Sequence, residues 1–469
     1  MCILHSIMQL ELNTLMSKYV KYYEAKTKRS RVLFEEASRL LPSGTSHNIR
    51  YFEPYPFFTR MASGKFIYDV DGNAYTDYWM GHWSLILGHA PKVIVDTLKD
   101  RIPEGTLFGT VNEHTIRLAE LINKFMPRAE MLRFCSTGSE ATMYAIRLAR
   151  AYTGKRVIAK IEGGWHGFNS DLNYAVNYPF EQEGKGLVYY YDDHNNDMAS
   201  RYIVALPFND IDGSLNILSK VKDDLAGIIV EPLLGGAGCI PASKDYLHAL
   251  QEYAKSSNSL FILDEIVTGF RLSLHGAQSI YALEPDIFTL GKIAGGGLPI
   301  GVVCALKEIM SLADVRGKDK YARVSIGGGT FSENPLSMAA GYAMLEYLSR
   351  NEHIYDRLAM LGDYIRSNVD KVMNENGVRV KSTGMGSLFL THFLSKGIDD
   401  VRNARDASLC NVALQRLYHF ALLSMYDIFF LPNKLGALSI EHDIVDARKL
   451  IDASANIARD IKDAINNKL

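Results

Sequence analysis

Cysteine is scarce in this 469-residue chain, which has five: Cys2, Cys135, Cys239, Cys304 and Cys410. Their number is odd, their spacing is wide and no CxxC pair occurs. A disulfide framework and a thiolate zinc site are thereby excluded, and a reducing compartment is the natural home. No apolar run approaches the roughly 18 residues of a membrane span. The start, Met1-Cys2-Ile3-Leu4-His5, lacks a basic n-region and a small-residue cleavage site, so no signal peptide is expected. No charge of one sign dominates: 51 Lys and Arg against 53 Asp and Glu leave a net −2. That balance offers no broad field for nucleic acid or anionic membrane. The expectation is a cytoplasmic chain with neither as partner.

Nucleotide signatures are missing too. Gly-Lys pairs begin at Gly64, Gly154, Gly184, Gly291 and Gly317, and none is followed by Ser or Thr, so there is no P-loop. In Gly295-Gly296-Gly297-Leu298-Pro299-Ile300-Gly301, Ile300 stands where GxGxxG needs its last Gly. No HExxH occurs.

What is present is ordinary globular material, 47% apolar and 22% charged, long enough for two or three domains. Residues 1–40 read as helical, with Leu33, Phe34, Ala37, Leu40 and Leu41 at helical spacing before Pro42-Ser43-Gly44. A hairpin is expected around Asp71-Gly72. From about 86 to 335, short apolar strands alternate with amphipathic helices. The strands are expected at 131–135, 157–160, 203–206, 227–230, 261–263, 287–290 and 302–306. Such runs suit an α/β fold with a helix-covered, mostly parallel sheet. A long helix should follow Pro335, then a second mixed region, then a closing helix at 443–467.

Three stretches could carry chemistry. Cys135-Ser136-Thr137-Gly138-Ser139-Glu140 joins a strand end to a helix start, where free amides, hydroxyls and the positive dipole end suit a phosphate. A plain N-cap by Thr137 or Ser139 explains the same residues. Leu263-Asp264-Glu265 ends a buried strand, where α/β sheets place ligand groups; a structural ion pair or helix cap is the rival. Leu290-Gly291-Lys292 puts a lysine after an apolar strand and before a Gly run. Desolvation there would lower the amine pKa and favour imine chemistry with a carbonyl, while a snorkelling lysine would look alike. Together, a phosphate cradle, a strand-end carboxylate and a strand-end lysine are what pyridoxal phosphate needs.

From Leu33 to the C-terminal helix the chain resembles the class III aminotransferases of fold type I. Within them it is similar to the glutamate-1-semialdehyde 2,1-aminomutase branch. The motifs are Leu263-Asp264-Glu265-Ile266-Val267-Thr268-Gly269-Phe270-Arg271, Gly291-Lys292 through Gly301, and Gly329-Thr330-Phe331-Ser332-Glu333-Asn334-Pro335. The resemblance implies a large domain with a mostly parallel sheet and a smaller α+β domain. Residues 1–85 would join the small domain and supply a substrate loop, 86–335 would bind pyridoxal 5'-phosphate, and 336–469 would complete the small domain. Lys292 matches the Schiff-base lysine and Asp264 the partner of the pyridine nitrogen. Thr137, Gly138 and Ser139 match the phosphate cradle. Trp165 falls at the ring-stacking position, and His166 and Ile266 are the other expected cofactor contacts. Thr330 matches a residue that reaches the partner subunit's phosphate, implying a homodimer with shared active sites. Arg50 matches the arginine that grips a substrate carboxylate, and Trp83 would line the same pocket.

The substrate machinery departs from the branch. Gly236 replaces an Asn, Pro432-Asn433-Lys434-Leu435 lacks a pocket Glu, and Glu333 replaces a Gly. The loop after His166 is rich in aromatics, with Tyr174, Tyr178, Phe180 and Tyr189-Tyr190-Tyr191. Amino transfer from an amino acid or amine to an oxo acid is the favoured expectation. The aminomutase reaction, racemisation and a regulatory protein that binds the cofactor without turnover are the alternatives.

Overall fold

The computed structural model describes residues 2–176, 202–316 and 324–466. Tyr178, Phe180 and Tyr189 to Tyr191 lie outside the described residues. The chain divides into two compact units, residues 92–356 with 402–408, and residues 1–91 with 357–401 and 409–469.

The first unit is built on a seven-stranded sheet. Its order is Met131–Cys135, Gly301–Ala305, Ile287–Gly291, Leu260–Asp264, Leu225–Val230, Val157–Ile161, Ile203–Leu206. Most strands are buried along their whole length, which is why they read as unbroken apolar runs. Gly301–Ala305 alone runs antiparallel to both its neighbours. The connection 292–300 is too short for the crossover a parallel strand requires, so the chain reverses. In the register, Asp264 sits opposite Thr289, and Gly291, Gly301 and Cys135 lie level. The C-terminal ends of the parallel strands therefore share one edge, where α/β sheets present ligand-binding groups.

Helix Gly138–Thr153 follows the first of these strands. Thr137 caps it in a capping box with Glu140, and Gly154 ends it at φ 70°, a left-handed conformation that glycine adopts without penalty. Ala141, Ala145 and Leu148 on its buried face join the core cluster with Ile158, Ile229 and Ile262. Helix Pro335–Arg350, capped by Asn334, packs on helices Lys92–Arg101 and Glu113–Phe125 and on the turn Lys292–Gly295. That packing puts it in this unit, which runs on to Asp356 instead of ending at 335, and takes in 402–408 as well. Arg405 holds the latter segment with a two-pronged hydrogen bond to Glu162, at 2.7 and 2.8 Å.

The second unit joins both chain ends. Strands Thr59–Ser63, Phe66–Asp69 and Ala74–Asp77 form a meander, with Gly72 at φ 95° in its turn. Ile428–Phe429 adds to it in parallel. Strands Val380–Met385, Leu388–Phe393 and Gly436–Ala437 make a second sheet. Helices Cys2–Lys26, Val412–Tyr426 and Ile444–Asn466 pack on one another.

Candidate active site

The sheet edge of the first unit gathers Thr137, Gly138, Ser139, Trp165, His166, Asp264, Ile266 and Lys292. At the helix start the N-cap of the sequence reading is present. Thr137 is a true cap, accepting from Glu140 N at 3.2 Å, while Glu140 accepts from the amides of Ser136 and Thr137. The amides of Gly138 and Ser139 find no acceptor among the described residues. They stand at the positive end of a 16-residue helix, which suits an anion. A Cβ at Gly138 would come 3.0 Å from Ile266 Cδ1, and one at Gly291 3.1 Å from the same atom. The half-buried Ile266 thus lies between the helix start and the residue before Lys292, and a side chain on either glycine would require it to shift.

Asp264 is held by three donors. Its Oδ1 accepts from Ile266 N at 3.0 Å and Thr289 Oγ1 at 2.9 Å, and its Oδ2 lies 2.7 Å from His166 Nδ1. Burial pulls the His166 pKa down, and the hydrogen bond to Asp264 opposes this. The neutral ring donates from Nδ1, which leaves Nε2 buried with no partner among the described residues. Glu265, one residue on, has a different task. It is fully buried and accepts from Ala277 N, Gln278 N, Gln278 Nε2 and Thr268 Oγ1, capping a short helix. Of the two adjacent acids, Asp264 is the one at the sheet edge with the histidine.

Lys292 adopts φ 49° at the end of its strand, a left-handed conformation that is uncommon for a side chain this size. Burial lowers its pKa; the nearby charges of Asp264 and Glu231 oppose that, and Arg271 adds to it. Trp165 is half-buried, packs edge-on against Phe168 at 4.8 Å, and has its amide bound to Glu231 Oε1 at 2.9 Å.

Two supporting residues have no role in the sequence reading. Lys160 is fully buried and donates to the carbonyls of Gly164, Leu172 and Tyr174 at 2.8, 2.9 and 2.5 Å. Burial pulls its pKa down to about 7, while three acceptors call for the three N–H groups that only the ammonium has. Glu231, also buried, accepts from Trp165 N and Gly235 N, and burial pushes its pKa up to about 8. A lysine inside the apolar run Val157-Ile158-Ala159-Lys160 is the signal that could have found the first, since lysines are almost never fully buried without a partner. Lys160→Met leaves three carbonyls without a donor. At about 1–3 kcal/mol for each buried group left unsatisfied, the expected result is a melting temperature lower by several degrees, with Lys160→Arg less affected; thermal unfolding of the two variants decides it.

Thr330 is exposed, on a loop whose Gly329 would bring a Cβ within 3.3 Å of Glu140. Arg50 and Trp83 belong to the other unit. Arg50 is exposed at the end of the turn Asn48–Arg50. Trp83 is buried, with Nε1 donating to Leu435 O at 2.9 Å. It ends a turn in which Met80, Gly81, His82 and Trp83 all have positive φ, 44°, 56°, 59° and 66°. A left-handed turn costs roughly 1–2 kcal/mol per non-glycine residue, and such strain collects at functional sites.

Known proteins resemble this chain over most of its length. Residues 50–410 match the family model described as "Aminotransferase class-III". The chain is 39% identical over 434 residues to the glutamate-1-semialdehyde 2,1-aminomutase of Archaeoglobus fulgidus, spanning 91% of this chain and 99% of that one. Among solved structures, an omega-transaminase from Sphaerobacter thermophilus superposes with a TM-score of 0.85 at 33% identity, over 92% of this chain and 97% of that one. A transaminase with PLP bound does so with a TM-score of 0.82 at 30% identity, over 92% and 98%.

Proposed function

Because the chain belongs to the class III aminotransferases, a family of pyridoxal-phosphate-dependent enzymes, we propose that it moves an amino group from an amino acid or amine to an oxo acid, with Lys292 and Asp264 carrying the chemistry. The observation that carries this reading is the convergence, on one sheet edge, of the desolvated Lys292 amine, the triply bonded Asp264 and the two acceptor-less amides of Gly138 and Ser139.

These residues fit the cofactor. The amides of Gly138 and Ser139, with the Ser139 hydroxyl, would hold its phosphate, and Ile266 and Trp165 would bound its ring. Asp264, oriented by His166 and Thr289, would pair with the ring nitrogen. When bound, pyridoxal phosphate supplies an electrophilic aldehyde carbon and an electron-withdrawing ring that acidifies the Cα–H of an amine. The chain's own work is then proton and charge management. The lowered pKa of Lys292 favours the unprotonated Nζ, which is both nucleophile and base, and Nζ takes the proton from the substrate Cα. Asp264 sets a negative charge where positive charge must be stabilised, in a site preorganised by its donors. Thr330, on its exposed loop, would serve the partner subunit's site in a homodimer. Buried thiols at Cys135, Cys239, Cys304 and Cys410 suit a reducing cytoplasm.

Transfer between molecules is favoured over migration within one at Gly236. A Cβ there would stand 3.3 Å from Trp165 Cβ, so an Asn at 236, as in the aminomutase branch, would require Trp165 to give way. The aminomutase reading is supported by the 39% identity to the Archaeoglobus protein. An oxo-acid requirement separates them. With an amino donor alone, the holoenzyme should release one equivalent of oxo product per site and stop, and adding pyruvate or 2-oxoglutarate should restart it. Efficient conversion of glutamate semialdehyde to 5-aminolevulinate without any oxo acid would install the aminomutase reading instead.

A further inference from the structure

Two buried charges on neighbouring strands of the large sheet close on a single peptide group. Lys160 lies in the strand Val157–Ile161, level with Ile229 of the parallel strand Leu225–Val230, and Glu231 directly follows that second strand. Both side chains are buried, and charges are rarely taken out of water without a partner. Lys160 Nζ donates to Gly164 O at 2.8 Å, and Glu231 Oε1 accepts from Trp165 N at 2.9 Å. Gly164 O and Trp165 N belong to one planar peptide unit. The ammonium therefore meets the negative end of that unit and the carboxylate its positive end. A peptide dipole of about 3.5 D laid between opposite charges is held in its favoured direction. The Glu231 charge also opposes the lowering of the Lys160 pKa by burial.

This peptide sets the direction in which Trp165 leaves the chain, and turning its plane would break both bonds. Segment 162–175 is largely irregular, so its course has to come from such ties. Lys160 ties the returning arm as well, through Leu172 O at 2.9 Å and Tyr174 O at 2.5 Å, and Gly163 N donates to Ala175 O at 2.7 Å. Glu231 Oε2 accepts from Gly235 N at 3.2 Å, one residue before the Gly236 that faces Trp165. The next residue, His166, has its carbonyl on Thr142 Oγ1 at 2.6 Å and its ring on Asp264 Oδ2 at 2.7 Å.

We propose that Lys160 and Glu231 are a pair of positioning residues. By gripping the Gly164–Trp165 peptide at its two ends they fix the Trp165 ring at the cofactor ring and the His166 ring on Asp264. This rests on the reading of Trp165 and Asp264 as cofactor contacts.

The test is the affinity of the apoenzyme for pyridoxal 5'-phosphate, with the circular dichroism of the bound cofactor, in Lys160→Met, Glu231→Gln and the double variant. Each single variant should bind the cofactor about 10–100-fold more weakly, as for loss of one charged hydrogen bond, and should reduce or invert the dichroic band. The double variant should bind no more weakly than the weaker single one, because removing both charges leaves neither buried alone. Lys160→Arg should restore most of the affinity. Leu250→Ala, a truncation of a buried residue in the helix Lys244–Ser256, should cost stability of the same order yet keep cofactor affinity within about twofold. Affinity and dichroism of the parent enzyme in Glu231→Gln overturn the proposal, also where Lys160→Met does not fold. Losses that add in full in the double variant overturn it too, as does an equal loss in Leu250→Ala. If the two residues are coupled in cofactor binding but no donor and acceptor pair turns over, the positioning pair stands and the transferase reading fails.

Discussion

Alanine at position 292 should lower kcat by roughly 10⁴-fold or more, because it removes nucleophile and base together, and general-base catalysis alone contributes about 10²–10⁴-fold. In the parent enzyme, borohydride reduction of the holoenzyme followed by peptide mapping should place the pyridoxyl group on Lys292. The control is internal. Burial lowers the pKa of Lys160 as well as that of Lys292, so a lowered pKa alone does not choose between them. Geometry does. The Lys160 ammonium is spent on three loop carbonyls, and drawing it away would leave all three unpaired. Lys292 directly follows a strand whose last residue, Gly291, lies level with Cys135 and packs on Ile266. A label on Lys160, or turnover in Lys292→Ala within tenfold of the parent enzyme, would falsify the assignment.

The difference between these two lysines also shows how far the sequence alone reaches. Strand positions were legible, because a sheet covered on both faces requires apolar runs, and 157–161, 225–230, 260–264 and 287–291 supply them. The helix start was legible from cap chemistry, which is local, as a choice between Thr137 and Ser139, of which Thr137 is the cap. The reversal of Gly301–Ala305 leaves no trace in its apolar run and shows only in the short connection 292–300, which the reading of strands by apolar runs does not use. The placement of helix 335–350 was not legible either: it is decided by packing against helices far back in the chain. In the site, Asp264 and Lys292 could be read because each ends an apolar strand. Their supports could not. Thr289 reaches Asp264 from the neighbouring strand, and His166 from a loop 98 residues away in sequence. Such pairings depend on register, which one sequence does not specify. His419, buried in a helix and holding the turn before Lys434, is a further case: a histidine on an apolar face looks the same whether it only fills space or holds a backbone amide.

Asp264→Asn should keep cofactor binding within about tenfold and lower kcat by roughly 10³-fold. The binding expectation follows because the phosphate cradle and Lys292 are untouched. The kcat expectation follows from charge: opposite charges about 4 Å apart attract by about 4 kcal/mol at an effective dielectric near 20, and each 1.36 kcal/mol is tenfold in rate. The hydrogen bonds around Asp264 sharpen the test. Ile266 N and Thr289 Oγ1 both donate to Oδ1, so an asparagine placed here keeps its carbonyl oxygen on that side. Its NH2 then faces His166 Nδ1, which in the parent enzyme donates to Oδ2 at 2.7 Å. Two donors cannot face each other. The imidazole must move its proton to Nε2, the nitrogen that has no partner among the described residues, and accept at Nδ1. Nitrogen NMR of the ring should report that change of tautomer in Asp264→Asn and not in Asp264→Glu. A kcat within tenfold of the parent enzyme, or an unchanged His166 tautomer, removes Asp264 from the role assigned to it. The two readouts fail separately. An unchanged kcat with a shifted tautomer leaves the histidine pair intact and shows that the negative charge is not what the reaction needs.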